Sequence, residues 1–415
     1  MSAPLCPCCC HSKGCYFHSK GNIKILVAAS GFKESLEPQA AANAIEAGIL
    51  RADPTAIATK APLVDGGEGF VEALVSATDG TLQKLTVMGP VRQPVSSHYG
   101  FLGGYRRKTA VIEMAAAAGL RLVPPELRDP TSTTTFGVGE TIAAALEAGA
   151  EEILIGCGDS GTCDAGVGMA QALGVRFSDI HGNDLPLAAG GASLNDLAII
   201  DRTERHHLLR QVPIHVACNW HNVLCGPEGV ARVFGPQKGT TASDVDHLVR
   251  AMDIFASACS FELGVDVGQA PGSGASGGLG AGLMLIGAQL HQRYDIIMPL
   301  LDIDPLLDDC HLVFTAEGSI DFQTPRGKIP AEVAMRAKAR GLPVVALAGT
   351  IGQGANVNYE VGIDAFASIL QRPVTLETAI AEAERLLVES AESAMRMIMI
   401  GRSLRLGSEI NLIVE

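Results

Sequence analysis

The sequence has few aromatic residues, which make up 4% of its 415 positions, with a single tryptophan. Apolar residues still reach 47% and glycines number 47, a composition typical of a compact α/β protein rather than of a β-sandwich. Positive charge is also scarce. The formal charge of −14 argues against nucleic acid or an anionic membrane as a main partner. No apolar run reaches the length of a membrane-spanning helix, so we expect a soluble, cytoplasmic protein.

Cysteine is scarce over most of the chain and concentrated at its start. Five of the eleven cysteines lie within the first 20 residues, in a stretch that lacks the apolar segment of a secretory signal. Their spacing fits no tetrahedral zinc pattern. We predict a disordered, cysteine-rich tail at residues 1–21, with metal binding, lipid modification or targeting as alternatives. The other six cysteines lie in apolar segments, as reduced cytosolic thiols do.

Strand, loop and helix patterns alternate along most of the chain. Short apolar runs such as "NIKILVAAS", "EEILIG" and "HLVFTAEG" end in glycine-rich or polar loops, and helical patterns follow them. One such pattern begins at Pro38, and another covers about 375–400. This alternation predicts parallel sheets covered by helices. Residues 78–135 instead indicate short antiparallel strands, which is consistent with a domain inserted into another.

The loop "GCGDSGTCDAG" at 156–166 permits three incompatible interpretations. It contains the tetrapeptide of a serine protease around Ser160, a possible thiol pair in Cys157 and Cys163, and glycines that could surround a phosphate. Because it follows an apolar strand and precedes a helix, it does not fit a β-barrel protease. C-x5-C without a second pair is a poor metal motif. Ligand-binding oxygens from Ser160, Thr162 and Asp164 remain, with a purely structural turn as the alternative.

Other loops after strands carry charge or glycine. Lys33 precedes a helix, where it suits a phosphate or a carboxylate, although it could be simply solvated. Asp65 and Glu68 lie among three glycines and suit Mg²⁺. The stretch 270–290 contains G-x-G-x-x-G without a strong preceding strand, so it predicts either a phosphate-binding helix start or tight packing by small residues.

The stretch "TAEGSIDFQTPRGKIP" combines Glu317, Asp321, Arg326 and Lys328, and a further lysine, Lys238, lies in "VFGPQKGTT". Carboxylates for Mg²⁺ and cations for a transferring phosphoryl group are what phosphoryl transfer requires. The P-loop motif G-x4-G-K-[ST] is absent from the sequence. We therefore consider a kinase without a P-loop.

A series of segments from residue 22 onward resembles, in the same order along the chain, the bacterial and fungal glycerate kinases that lack a P-loop. The matching segments are "SGFKESLEP", "PLVDGGEGFVEALV", "AVIEMAAAAGL", "RDPTSTTTFGVGE", "GVGMAQALG", "VFGPQKG", "PGSGASGGLGAGL" and "TAEGSIDFQTPRGKIP". The resemblance implies ATP-dependent phosphorylation of D-glycerate, usually at the 2-hydroxyl, in a cleft between two α/β domains. We place a discontinuous parallel-sheet domain, a helix–sheet–helix sandwich, at 22–77 and 283–415, and an inserted α/β domain at 78–282.

Together, the loops and the resemblance suggest roles for individual residues, with ATP and Mg²⁺ as cofactors. The catalytic candidates are Asp164, to orient or deprotonate the hydroxyl, and Lys33 and Lys328. The substrate-binding candidates are Asp65, Glu68, Ser160, Thr162 and Arg326. The nucleotide-binding candidates are Gly272, Gly274, Gly277, Gly278 and Lys238. The metal-binding candidates are Asp321, Glu317 and Asp65. We expect a monomer or homodimer with small-molecule ligands and no nucleic-acid or membrane partner.

Three positions depart from the pattern of many family members. Ser30-Gly31 stands in place of Asp-Ser, Asn219 in place of Asp, and Ser319 in place of Arg. A serine cannot replace an aspartate as a base or metal ligand, and it lacks the planar fork with which arginine binds a carboxylate. Asp159 could return one carboxylate to the same cleft. The alternatives are a catalytically weak metabolite-binding protein and a kinase for a related hydroxy acid.

Overall fold

A computed structural model of the protein describes residues 22–32 and 35–403. The predicted tail at 1–21 and the candidate Lys33 lie outside the described residues. The strands are β1 (Lys24–Val27), β2 (Ile57–Lys60), β3 (Thr81–Met88), β4 (Pro94–Phe101), β5 (Thr109–Glu113), β6 (Glu152–Gly156), β7 (Arg176–Ser178), β8 (Ile199–Asp201), β9 (Ile214–Cys218), β10 (Gln289–Gln292), β11 (Leu312–Ile320), β12 (Val344–Ile351) and β13 (Ala365–Ser368).

Helices follow most of these strands, as the alternating pattern predicts. They are α1 (Pro38–Ala52), α2 (Phe70–Ala77), α3 (Ala115–Ala118), α4 (Phe136–Glu147), α5 (Val167–Ala172), α6 (Val230–Phe234), α7 (Ala242–Leu263), α8 (Ala275–Ile286), α9 (Arg293–Leu300), α10 (Ile303–Asp308), α11 (Ile329–Lys338) and α12 (Leu376–Ser403). Pro38 occupies the first turn of α1, where its missing N–H costs nothing. No helix within 22–32 and 35–403 is long and apolar enough to cross a membrane.

The five-stranded sheet is parallel throughout and has the strand order β13-β12-β11-β1-β2, while β7 and β8 form a separate antiparallel pair. Alternate residues of β1 point to opposite faces, so that Ile25 and Val27 pack with α1 and α12, while Leu26 packs with α9, α10 and α11. A strand buried on both faces needs a continuous apolar run. The predicted helix–sheet–helix sandwich is therefore confirmed.

The larger sheet is mixed and has the order β10-β9-β6-β5-β4-β3. β5, β6, β9 and β10 run parallel, whereas β3 and β4 pair antiparallel, and β4 also pairs antiparallel with β5. The antiparallel strands predicted after residue 78 are thus confirmed. The strands of this sheet span 81–292, and β10 extends past the predicted boundary at 282. The domain division itself stays a prediction.

Helices α2 and α9 lie where the two sheets approach each other. Phe70 and Leu74 of α2 and Ile297 of α9 form one buried apolar cluster with Val111 of β5 and Leu154 of β6. α9 begins directly after β10 of the mixed sheet, and its Met298 belongs to the core of the parallel sheet. The carboxyl ends of strands from both sheets consequently reach the same region.

The contact between α1 and α12 provides a direct test of packing. A Cβ atom at Gly48 would lie 2.3 Å from the carbonyl oxygen of Val388, a backbone atom that cannot move independently. We expect Gly48→Ala to lower the free energy of unfolding by about 1–3 kcal/mol through overpacking. Urea denaturation followed by circular dichroism measures the change.

Gly401, near the end of α12, provides the matched control. Nothing lies within 4 Å of a Cβ atom added there. Gly401→Ala should be neutral, or stabilising by up to about 1 kcal/mol, because alanine restricts the unfolded chain. Equal effects of the two substitutions would refute the packing explanation.

Candidate active site

The loop after β2, residues 65–69, lies against the loop after β6, residues 157–166. The backbone N–H of Glu68 donates to Oδ2 of Asp159 at 3.2 Å. A Cβ atom at Gly67 would lie 2.1 Å from that same oxygen, and one at Gly158 would lie 2.6 Å from the Cα of Gly67. Close approach of the backbones therefore requires glycine at Gly158, and a side chain in place of Gly67 would displace the Asp159 carboxylate. The contact joins the carboxyl ends of strands from the two sheets.

The carboxylate of Asp164 organises the second of these loops from inside. Asp164 is 1% exposed and accepts hydrogen bonds from the backbone N–H of Thr135, Gly166 and Gly168 and from the Thr135 hydroxyl, at 2.8–3.2 Å. Burial raises the pKa of Asp164, and these donors oppose the shift. With both oxygens already engaged, the geometry favours positioning of the loop over proton transfer.

Lys238 lies beneath the same loop. Its Nζ donates to Oγ of Ser160 and to the carbonyl oxygen of Thr162, each at 2.7 Å. Burial lowers the pKa of Lys238 to about 8. Lys238, a candidate for nucleotide binding, thus contacts Ser160 and Thr162, two candidates for substrate binding. Oγ1 of Thr162 is buried and makes no hydrogen bond to any described residue.

An acid–base cluster forms where β11 ends. Nζ of Lys328 lies 3.8 Å from a Glu317 carboxylate oxygen and 3.6 Å from an Asp321 oxygen, and it donates to the Ser319 carbonyl oxygen at 3.1 Å. Asp321 is also fixed by the N–H of Gln323, at 2.8 Å. The cluster brings three predicted site residues together, with the carboxylates of Glu317 and Asp321 beside the ammonium group of Lys328.

Arg293, at the start of α9, connects this cluster to the loop after β2. Its Nη1 lies 3.1 Å from both the carbonyl oxygen and Oδ2 of Asp65, and its other terminal nitrogen donates to the carbonyl oxygen of Gly327. Tyr294 also donates to Gly327, at 3.1 Å. Arg293 was not among the predicted site residues, because β10, which precedes it, carries no long apolar run.

The glycine-rich stretch before the regular part of α8 is tightly packed. Gly277 and Gly278 have φ values of +74° and +87°, which only glycine adopts easily. A Cβ atom at Gly277 would lie 1.9 Å from the Thr162 carbonyl oxygen, and one at Gly274 would lie 2.1 Å from that of Val223. Gly272 is similarly close to the Cys218 sulfur, at 2.6 Å. Of the two interpretations of this stretch, the contacts fit packing by small residues.

The remaining candidates lie nearer to solvent. Glu68 pairs with Arg121 at 3.3 Å, and both line a cavity of about 640 Å³ between the ends of β2 and β5. Arg326 is exposed, with its guanidinium 5.9 Å from the centre of the Phe322 ring. Cys157 and Cys163 are free, buried thiols, and burial raises the pKa of Cys163 to about 11. Neither thiol is suited to act as a nucleophile or a metal ligand.

A further cluster of polar side chains contains none of the predicted site residues. His98 of β4 lies between Glu72 of α2 and Glu113 of β5, with Nε2 at 3.4 Å and 3.6 Å from their carboxylate oxygens. The Glu72 carboxylate raises the pKa of His98, and burial raises that of Glu113 to about 7. One signal was available, since Glu113 interrupts the apolar run "AVIEMA". A carboxylate buried in a strand needs a polar partner, so this interruption indicates a polar contact inside the fold.

The structure tests the predicted metal ligands by their chemistry. Glu317 and Asp321 offer carboxylate oxygens beside a single cation, Lys328, which fits the oxygen preference of Mg²⁺. Asp65 instead pairs with Arg293. Among the described residues, the group of three potential ligands whose donor atoms all lie within 4.8 Å of one another is Glu72, His98 and Glu113.

Comparison with known proteins places this architecture in one family. Residues 25–399 match the model of the glycerate kinase family. A glycerate kinase of Bacillus subtilis is 43% identical over 383 residues, which are 92% of this chain and 99% of that protein. A glycerate 2-kinase of Escherichia coli is 43% identical over 358 residues, covering 86% and 93% of the two chains.

A solved structure agrees with the fold. A crystal structure from Salmonella typhimurium LT2, assigned as a glycerate kinase 2, superposes with a TM-score of 0.74 and is 42% identical. The superposition covers 92% of this chain and 100% of that one. The fold and the relatives are those of a kinase that phosphorylates a hydroxyl acceptor. The chain belongs to the glycerate kinase family.

Lys238 gives a pH-dependent prediction for the loop it supports. Its pKa falls from 10.5 to about 8 on folding, so between these values the unfolded chain binds more protons than the folded one. Stability contributed through this group therefore rises as the pH increases from 8 towards 10.5. In Lys238→Met this rise should be missing.

Urea midpoints of the two proteins, measured from pH 7.5 to 10, provide the test. Other titrating groups are common to both chains, so the difference between the midpoints isolates Lys238. A constant difference across this range would show that the lysine does not titrate there.

Proposed function

We propose that the protein transfers the γ-phosphoryl group of ATP to D-glycerate and forms 2-phosphoglycerate. The acid–base cluster of Lys328, Glu317 and Asp321, connected through Arg293 to Asp65, is the observation that carries the proposal. A hydroxy acid and a triphosphate both present anions that need cations, whereas Mg²⁺ needs carboxylates. The name of the Escherichia coli relative, glycerate 2-kinase, supports the choice of hydroxyl.

In this proposal the substrate hydroxyl oxygen bonds to the γ-phosphorus, the bond from that phosphorus to the ADP oxygen breaks, and the hydroxyl proton is released to solvent. Lys328 and Arg293 stabilise negative charge on the transferring group and the substrate carboxylate. Glu317 and Asp321 would hold Mg²⁺, which neutralises phosphate charge when it is bound. Exposed Arg326 would receive the carboxylate from solvent, with Glu68, Ser160 and Thr162 as further substrate contacts.

Asp164 and the glycine stretch have supporting roles in this proposal. Phosphoryl transfer passes through a loose transition state, so catalysis rests on positioning and electrostatics more than on a base. Buried Asp164 would fix the loop that presents Ser160, with Lys238 adding positive charge below it. Gly272, Gly274, Gly277 and Gly278 would bring α8 close to that loop, and ATP phosphates would bind nearby.

An ADP-release assay with D-glycerate, ATP and Mg²⁺ tests the proposal, and NMR of the product identifies the phosphorylated hydroxyl. We expect turnover with D-glycerate and a 2-phospho product. Turnover only with another hydroxy acid would indicate a different substrate. Binding of ATP or D-glycerate by calorimetry without turnover would indicate the metabolite-binding alternative suggested by Ser30, Asn219 and Ser319.

Lys328→Gln tests the cluster itself. Loss of one cation that stabilises transition-state charge should lower kcat by roughly 10²-fold, as removal of a single preorganised donor does. Lys338→Gln, on the exposed side of α11, is the matched control and should leave kcat unchanged. Similar rates for Lys328→Gln and the unchanged protein would exclude Lys328 from catalysis.

Asp164→Asn separates proton transfer from positioning. The amide nitrogen would face backbone N–H groups, so we expect a loss of about 1–3 kcal/mol in the free energy of unfolding. If Asp164 only positions the loop, kcat per folded molecule should fall by much less than the roughly 10²-fold expected for a lost base. A fall of roughly 10²-fold or more in kcat per folded molecule would instead identify Asp164 as the base.

A further inference from the structure

Glu72, His98 and Glu113 converge from three separate elements. Glu72 lies on α2, His98 on β4 and Glu113 at the end of β5. Each offers one donor atom, and these atoms all lie within 4.8 Å of one another. The group lies outside the acid–base cluster at the end of β11 and contains no predicted site residue.

The separations in this group are unusual for hydrogen bonds. Nε2 of His98 lies 3.4 Å from the Glu72 oxygen and 3.6 Å from the Glu113 oxygen, and neither contact has hydrogen-bond geometry. Two ligands bound to one tetrahedral Zn²⁺ at about 2.0–2.1 Å are separated by roughly 3.3–3.4 Å. The two separations from His98 are thus close to what a shared metal ion requires, and the two carboxylates offer oxygens within 4.8 Å of each other.

Burial supports the same interpretation. Glu113 is 1% exposed, and its Oε2 accepts the N–H of Val71 at 3.0 Å, while its Oε1 faces His98 and accepts no hydrogen bond from any described residue. A buried carboxylate oxygen with no donor is costly. Glu72 has a side chain 55% exposed, and both carboxylates line the cavity of about 640 Å³. An ion could therefore enter from solvent.

We propose that Glu72, His98 and Glu113 bind a divalent transition-metal ion of the Zn²⁺ class. An imidazole nitrogen with two carboxylates suits such an ion, whereas Mg²⁺ prefers all-oxygen ligands and retains its waters. The site is separate from the Mg²⁺ of the proposed kinase reaction and does not rest on that reaction. A bound ion would crosslink α2 to β4 and β5, and so stiffen the start of the helix that follows the Asp65 loop.

Calorimetric titration of the full-length protein with Zn²⁺, in excess Mg²⁺ and without nucleotide, tests the site. The compared variants are Glu113→Gln, His98→Asn and Glu72→Gln. His247→Asn, an exposed histidine on α7, is the control for loss of a surface imidazole. The cysteines of residues 1–21 are common to all these proteins, so their zinc binding cancels in the comparison.

We expect the unchanged protein and His247→Asn to bind one more equivalent of Zn²⁺ than each of the three site variants. Zn²⁺ should also raise the Tm of the first two proteins more than that of the others. Equal stoichiometry and equal Tm shifts in all proteins would overturn the proposal and leave a proton-sharing triad. If Glu113→Gln does not fold, exposed Glu72→Gln gives the same comparison without disturbing the core.

Discussion

The hydrogen bonds to the buried carboxylate of Asp164 are the interaction on which the candidate site depends most. They join the start of α4 to the start of α5, and so fix the loop between β6 and α5. Three further contacts hold the same loop in place. Lys238 supports it from below, Gly277 of α8 packs against Thr162, and Gly67 approaches Asp159 from the other sheet.

A second constraint operates between the sheets. Arg293 is the first residue of α9, the helix that follows β10 of the mixed sheet. Its side chain binds Asp65, which follows β2, and Gly327, which follows β11; both strands belong to the parallel sheet. Its side chain is 10% exposed, and a buried guanidinium requires acceptors on all sides. The ion pair therefore fixes the orientation of the loop at 65–69, and with it the distance between the candidate ligands of the two sheets.

Much of the architecture could be predicted from local pattern. The strands β1, β6 and β11 are short apolar runs, and α1 and α12 have helical periodicity, so each formed where it was expected. The antiparallel strands after residue 78 were recognised by their turns. β7 and β8 were not, because each has only three residues, and β10 was not, because Leu290 is its one apolar residue, so none of them carries a clear periodic signal. The glycine motif at 272–277 left two interpretations open for a related reason, since glycines for packing and for phosphate binding have the same spacing.

The sequence by itself determined the class of fold and the family. The spacing of apolar residues and the order of the loop motifs along the chain can be read from neighbouring residues. It also placed Glu317, Asp321 and Lys328 in one loop region, and they do assemble. Only the tertiary structure decided that Asp164 is enclosed by donors, that Arg293 holds Asp65, and that His98 lies between Glu72 and Glu113. Thr135 and Asp164 are 29 positions apart along the chain, and Arg293 and Asp65 are 228 apart. Only the pairing of strands and the packing of α2 and α9 could bring such distant partners together.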